Sequence, residues 1–232
     1  QVPIDKALDY AAEDAEITLR LYHIFKPRIA AEKMAVVYED IERPLIPVIA
    51  RMELDGIKVD PGTLKEMSND FGKRVAALEK EIHDIAGHPF NVASPKQVGA
   101  VLFGEMSLEG GKKTKTGDWS TAVSVLEKLA AQGHEIVQKI LDFRQLAKLK
   151  STYTDALQDH INPETGRVHT SYSIAGANTT RLASTDPNLQ NIPVRTEEGR
   201  EIRSAFKAGE PDWLLLAADY SQIELRVLAH YS

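Results

Sequence analysis

The stretch WLLLAADYSQIELRVLAHYS, residues 213–232, decides how the rest of the chain is read. It begins as an apolar run suited to a buried strand and then delivers a carboxylate, Asp219, with Glu224 and Arg226 a few positions on. A charge left unpaired at the end of a buried strand costs free energy, so Asp219 needs a partner or a task. Two readings stand side by side. An acid at the C-terminal end of a buried strand is where α/β proteins present catalytic groups, and a hard oxygen ligand there suits Mg²⁺, which takes one or two carboxylates plus substrate phosphates. The plainer reading is a helix cap, with Asp219 or Ser221 capping a helix over QIELRVLAHYS.

Upstream of this stretch the chain is mixed. NPETGR (162–167) reads as a turn and VHTSYSIA (168–175) alternates like a strand. The irregular segment 176–203 carries Arg181, Ser184, Asp186, Asn188, Gln190, Asn191 and Arg195, interleaved with Leu182, Leu189, Ile192 and Pro193. Amide and guanidinium donors anchored by apolar residues suit recognition of a polyanion or nucleotide. Earlier still, the pattern is helical. Leu8, Ala12, Ala15, Leu19 and Tyr22 recur at spacings of three and four, with Pro27 interrupting and Pro44 and Pro47 marking a bend or restart. Asp60-Pro61 offers an N-cap and a first-turn proline for an amphipathic helix over 63–85, which Gly87 closes. Further helices are predicted over 94–103, 120–132 and 134–160. Between them GGKKTKTGDWST (110–121) is expected to bury little and to stay mobile. The change of style near residue 165 predicts a domain boundary.

Composition narrows the classes. The 232 residues suffice for one large or two small domains, and the absence of cysteine excludes a disulfide framework or a thiolate metal site. The seven histidines show no HxH or HExxH spacing. No apolar run approaches the ~20 residues of a membrane span, and the N-terminus lacks a signal-peptide pattern. It also lacks an initiator methionine, which suggests a piece of a longer chain. A net charge of −6 argues mildly against a nucleic-acid partner, but a summed charge hides local patches. Lys112, Lys113 and Lys115 sit on a glycine-flanked tip that either tracks a phosphate backbone or is simply solvated. Arg144 and Lys148, four apart, share a helix face with Ser151 and Thr152 nearby. That row fits a helix lying along phosphates, and equally a surface face balanced by Asp142 and Asp155.

The strings go further than the spacings. DYSQIELR with the preceding LLLAA closely resembles motif A of family A DNA polymerases. RLASTDPNLQNIPVRTEEGREIRSAF, INPETGRVHTSY and LAKLKSTYTDAL resemble the same family in the same order, so the resemblance covers essentially the whole chain. LDYAAEDAEITLRL is similar to the last motif of that family's 3′–5′ exonuclease domain, a tyrosine and an aspartate four apart (Tyr10 and Asp14).

The resemblance implies an α+β fold, a mainly helical thumb region followed by the first strands of an antiparallel palm sheet. It implies exonuclease-like helices over 1–30, thumb over 31–164, and palm over 165–232, ending within the motif A helix. Asp219 would be one of two palm aspartates holding a pair of Mg²⁺ ions about 4 Å apart, with the Tyr220 carbonyl a further ligand. Tyr220, Ser221, Gln222, Ile223 and Glu224 would line the nucleotide site, Glu224 as the steric gate against a ribose 2′-hydroxyl. Arg181 would lie against the minor groove at the primer terminus, where acceptors are common to all base-pair orientations. Asn188, Gln190 and Asn191 would line the template–primer track. Arg144, Lys148, the Lys112, Lys113 and Lys115 tip, and Asn91, Ser94 and Lys96 would hold phosphates. The implied partners are template–primer duplex DNA and a deoxynucleoside triphosphate, with no membrane, a monomeric state, and a bacterial cytoplasmic, nucleoid-associated location.

The fingers helix, the second aspartate and the remaining exonuclease acids have no counterpart in these residues. The expected role is therefore DNA synthesis by a longer parent, with this chain gripping duplex DNA without catalysis; the alternatives are a non-catalytic DNA-binding fragment and an exonuclease remnant. One departure stands out. The family commonly has Thr-Gly-Arg where this chain has Thr179-Thr180-Arg181, and threonine does not take positive φ as freely as glycine, which puts the aim of Arg181 in question.

Overall fold

The structure, a computed structural model, describes residues 3–210 and 212–232. The chain is mostly helical, 59%, with small antiparallel sheets, in line with the expected α+β class. It divides into two compact units, one formed by the described residues up to Asp55 with Ser171–Thr185, the other by Gly56–Thr170 with Asp186–Ser232.

In the first unit, α1 (Ile4–Ala31) is followed by a π-helical turn (Val37–Glu42) and α2 (Arg43–Asp55). The expectation that Pro27 interrupts the first helix is corrected: it lies inside α1, and Pro47 lies inside α2. A proline removes one backbone donor, and α1 ends four residues after Pro27. β3 (Ser171–Ser173) and β4 (Ala183–Thr185) pair antiparallel, and the Tyr172 N–H donates to Glu53 Oε1 of α2 at 2.6 Å.

The second unit holds the core. β1 (Ile57–Val59) leads into α3 (Pro61–Ala86). The predicted cap is present: Asp60 Oδ1 accepts from Gly62 N at 2.9 Å and Thr63 N at 3.3 Å, Pro61 opens the helix, and Gly87 closes it with φ 81°. α4 (Pro95–Gly99) continues into a π turn (Ala100–Glu105). α5 (Val123–Ala131) precedes α6 (Glu135–Leu149), which runs through a second π turn (Lys150–Asp155) into α7 (Ala156–Asp159). β2 (Arg167–Val168) and β5 (Phe206–Lys207) flank β1 in an antiparallel sheet of order β2-β1-β5, with α8 (Glu197–Ser204) before β5.

The helical face read from the sequence is the face that packs. Ile136, Ile140 and Phe143 of α6 join Ile82, Leu102, Leu126 and Leu129 in one apolar cluster. Leu146, Leu149, Tyr153 and Leu157 join Leu64, Phe71, Val168 and Ile202 in a second. Each fully buried side chain of this size contributes roughly 1.5–3 kcal/mol.

Two expectations fail here. The glycine- and lysine-rich stretch is a hairpin rather than a mobile loop: Lys113 and Trp119 form a β-bridge, and Thr114 N donates to Asp118 O at 2.8 Å. Trp119 stacks on Phe103 with ring centroids 5.1 Å apart, and Gly111 passes so close that a Cβ would lie 2.7 Å from Phe103 and 2.9 Å from Trp119. Composition misled because the packing of half-buried Trp119 on Phe103, with Thr121 buried beside it, anchors a stretch whose other side chains are mostly exposed. The predicted buried strand WLLLAAD forms no strand and is open to solvent, with Leu214 at 92% and Leu216 at 93% exposure. No strand among the described residues lies beside it to cover either face.

Candidate nucleic-acid interface

Polar side chains far apart in sequence converge beside the start of α4. Asn91 Oδ1 accepts from Ala93 N at 2.9 Å, and the Asn91 N–H donates to Gln97 Oε1 at 2.7 Å. Ser94 Oγ caps α4, accepting from Gln97 N at 3.4 Å. Asn91 and Ser94 thus shape the turn that carries the exposed Lys96. Opposite them the hairpin contributes Thr114 and Thr116, whose hydroxyls are 2.9 Å apart. Ser94, Lys96, Thr114, Thr116, Thr121 and Arg144 line one open groove of about 540 Å³, with Asp118 also on its wall.

Arg144 is not a free cation. Its Nη1 donates to Thr121 O at 2.7 Å and its Nη2 to Thr121 Oγ1 at 3.1 Å, fixing the strap between the hairpin and α5. Burial draws its pKa below the usual arginine value, yet a guanidinium stays charged and keeps N–H donors beyond those two. Arg144 also lines the adjoining groove with Gln138, Gln145 and the exposed Lys148, where Glu127 and Asp142 stand among them.

The lysine trio is split. All three are exposed, but only Lys113 sits over a ring, with Nζ 3.7 Å from the centroid of Trp119 in a cation–π contact. The sequence pattern did not single out Thr121, Trp119, Thr114 or Thr116. A tryptophan inside a polar tip was the available signal that the tip docks; Thr121 carried none.

Asn188, Gln190 and Asn191 are exposed on the loop that follows Asp186, and Asn188 Oδ1 accepts from Gln190 N at 3.0 Å. In the other unit Arg181 is exposed in the β3–β4 connection. Thr180 before it adopts φ 62°, taking the left-handed conformation despite its β-branch, and its hydroxyl donates to Thr179 O at 2.6 Å.

Asp219 and Tyr220 are exposed, and α9 (Ile223–Tyr231), whose first turn carries Glu224, begins just after them. The capping alternative is not realised. Gln222 occupies the N-cap with φ 50° and no side chain caps the helix, while Arg226 Nε donates to Ser221 O at 3.2 Å. Asp219 therefore keeps an uncommitted acceptor-only carboxylate, which fits one ligand of a divalent cation. Among the described residues no three His, Cys, Asp or Glu side chains gather to complete such a site. Tyr10 and Asp14 lie one turn apart on an exposed face of α1.

The model of DNA polymerase family A matches residues 61–232, and the chain belongs to that family. It is 60% identical over 229 residues to DNA polymerase I of Rhizobium leguminosarum, covering 99% of this chain and 22% of that one. It is 50% identical over 224 residues to the thermostable DNA polymerase I of Thermus aquaticus, covering 96% of this chain and 27% of that one. The chain thus spans about a quarter of the length of the curated relatives it matches. In structure it is similar to the POL domain of Pol1 from M. smegmatis in complex with DNA primer-template and dNTP, with a TM-score of 0.81 and 38% identity over 91% of this chain and 37% of that one. No helix among the described residues is long and apolar enough to cross a membrane.

Proposed function

We propose that this chain is the duplex-gripping part of a DNA-directed DNA polymerase, carrying one of the carboxylates used in nucleotidyl transfer. The observation that carries the reading is the convergence of Ser94, Lys96 and Arg144 with hairpin hydroxyls along one groove, continued by Lys148. Cations and hydroxyls in such a row suit the evenly spaced phosphates of a duplex and carry no sequence preference, as copying any template requires. The structural likeness to a polymerase domain bound to primer-template and dNTP supports the same partners here.

Asn91 works through the turn it shapes, and Lys112 and Lys115 add charge at the hairpin. Asn188, Gln190 and Asn191 offer amide groups to the template–primer track, and Arg181 offers a fork of donors to minor-groove acceptors. Asp219, with the backbone carbonyl of Tyr220, would hold Mg²⁺; when bound, the metal supplies charge stabilisation for phosphoryl transfer. Ser221, Gln222 and Ile223 shape the nucleotide side of that segment, and Glu224 narrows the space at the sugar 2′ position. Tyr10 and Asp14 belong to an exonuclease-like helix with no catalytic role in this chain. The domains follow as exonuclease-like helices over 1–30, thumb over 31–164 and palm over 165–232, in a monomeric protein of the bacterial cytoplasm.

Primer extension tests the reading. In a longer chain containing these residues, Asp219→Asn should lower templated extension by at least about a thousandfold, the scale of losing a main electrostatic group, while duplex affinity stays within about twofold. Undiminished extension would exclude the role of Asp219. The 232-residue chain itself should yield no templated product.

A further inference from the structure

The loop bearing Asn188, Gln190 and Asn191 is exposed on its outer side but held by its backbone from within. Thr170 is buried, and its Oγ1 donates to Pro187 O at 2.8 Å. Tyr153 is 4% exposed, and its hydroxyl donates to Asn191 O at 2.5 Å. Leu189, between these two bonds, and Ile192, just past the second, pack against the second apolar cluster. Past Asn191 the chain seats Pro193 against Gly199 so closely that a Cβ on Gly199 would lie 2.5 Å from Pro193 O. Both hydroxyls therefore pin carbonyls that flank the amide side chains. Burial raises the Tyr153 pKa, so the phenol stays a donor through the neutral range.

Tyr153 also sits on the helix that carries the cations. It lies in the π turn continuing α6, beyond Arg144 and Lys148 on the same helical run. A π turn admits an extra residue and rotates the face that follows. Resting on the function proposed above, we infer that the Tyr153 hydroxyl is a positioning residue that registers the Asn188–Asn191 loop against the cationic helix, so that amide and phosphate contacts engage one duplex together. Thr170 serves the same end at the other side of the loop.

Binding of a fluorescein-labelled primer–template duplex to the 232-residue chain, titrated over salt, tests this. Tyr153→Phe keeps the ring and deletes only the hydroxyl. It should weaken affinity about fivefold with an unchanged salt slope and an unchanged folded fraction by circular dichroism, and should speed amide exchange at Gln190 and Ile192 without DNA. Thr170→Val should lose affinity likewise and Thr170→Ser should retain it, a pair that decides the matter if Tyr153→Phe does not fold. Equal affinity of wild type and Tyr153→Phe, or a loss that tracks only the unfolded fraction, would overturn the positioning role while leaving duplex binding intact. Wild-type protein that fails to bind duplex would overturn the functional reading and this inference with it.

Discussion

At Thr180 the chain places a β-branched residue in the left-handed region, φ 62°, immediately before Arg181. An L-residue there costs roughly 1–2 kcal/mol, and a branched Cβ worsens the crowding. The short bond from its hydroxyl to Thr179 O is local and offsets only part of that. Glycine would remove the strain and lose about 0.5–1 kcal/mol through the greater freedom of the unfolded chain. Thr180→Gly should therefore stabilise the protein by about 0.5–1 kcal/mol, read as a higher urea midpoint at constant slope. A lower midpoint would mean the threonine side chain makes contacts that outweigh its backbone cost. The sequence exposed the anomaly through the Thr-Thr-Arg string. It could not show that the turn keeps its left-handed geometry, because that depends on the β3–β4 pairing around it.

Helix α3 and the π turn after α6 are joined by a small charged network. Ser68 Oγ donates to Asp155 Oδ1 at 2.5 Å and Lys150 Nζ to Oδ2 at 2.7 Å. Burial pushes the Asp155 pKa up, but the bonds from Lys150 and Ser68 outweigh it and hold the carboxyl below its ordinary value. A carboxylate whose pKa is depressed by folding stabilises the fold above its unfolded pKa of about 4, and that contribution is lost as pH falls through the folded value. The pair is partly solvated, so the effect is small. Asp155→Asn should cost about 0.5–1 kcal/mol at pH 7 and progressively less toward pH 3 in urea denaturation. A deficit independent of pH would assign Asp155 a packing role instead. The helices themselves were legible: the 3.6-residue pattern placed Ile136, Ile140 and Phe143 in the core, and Asp60-Pro61 marked the start of α3. The π turns were not, since widening a helix by one residue leaves no compositional mark. The hairpin was missed because its order depends on Trp119 reaching Phe103.

For the molecule as a whole the chain carries −6, and the adjoining grooves on the second unit bring Lys96, Arg144 and Lys148 together with Asp118, Glu127 and Asp142. Ser94, Lys96, Arg144 and Lys148 were readable one by one from the sequence, while Thr116 was not. Nor was their meeting, because Ser94, Thr116 and Arg144 are brought together only by the packing of the hairpin and α4 near α6. The exposed Leu214 and Leu216 show the converse limit: an apolar run predicts a strand, and only neighbouring strands make it a buried one. The most direct measurement is equilibrium binding of the 232-residue chain to a primer–template duplex across a salt series, with Lys148→Ala alongside. Log affinity should fall linearly with log salt, and Lys148→Ala should bind more weakly with a slope shallower by about one. Absent binding, or an affinity indifferent to salt and to Lys148, would contradict a chain built to grip DNA by its phosphates.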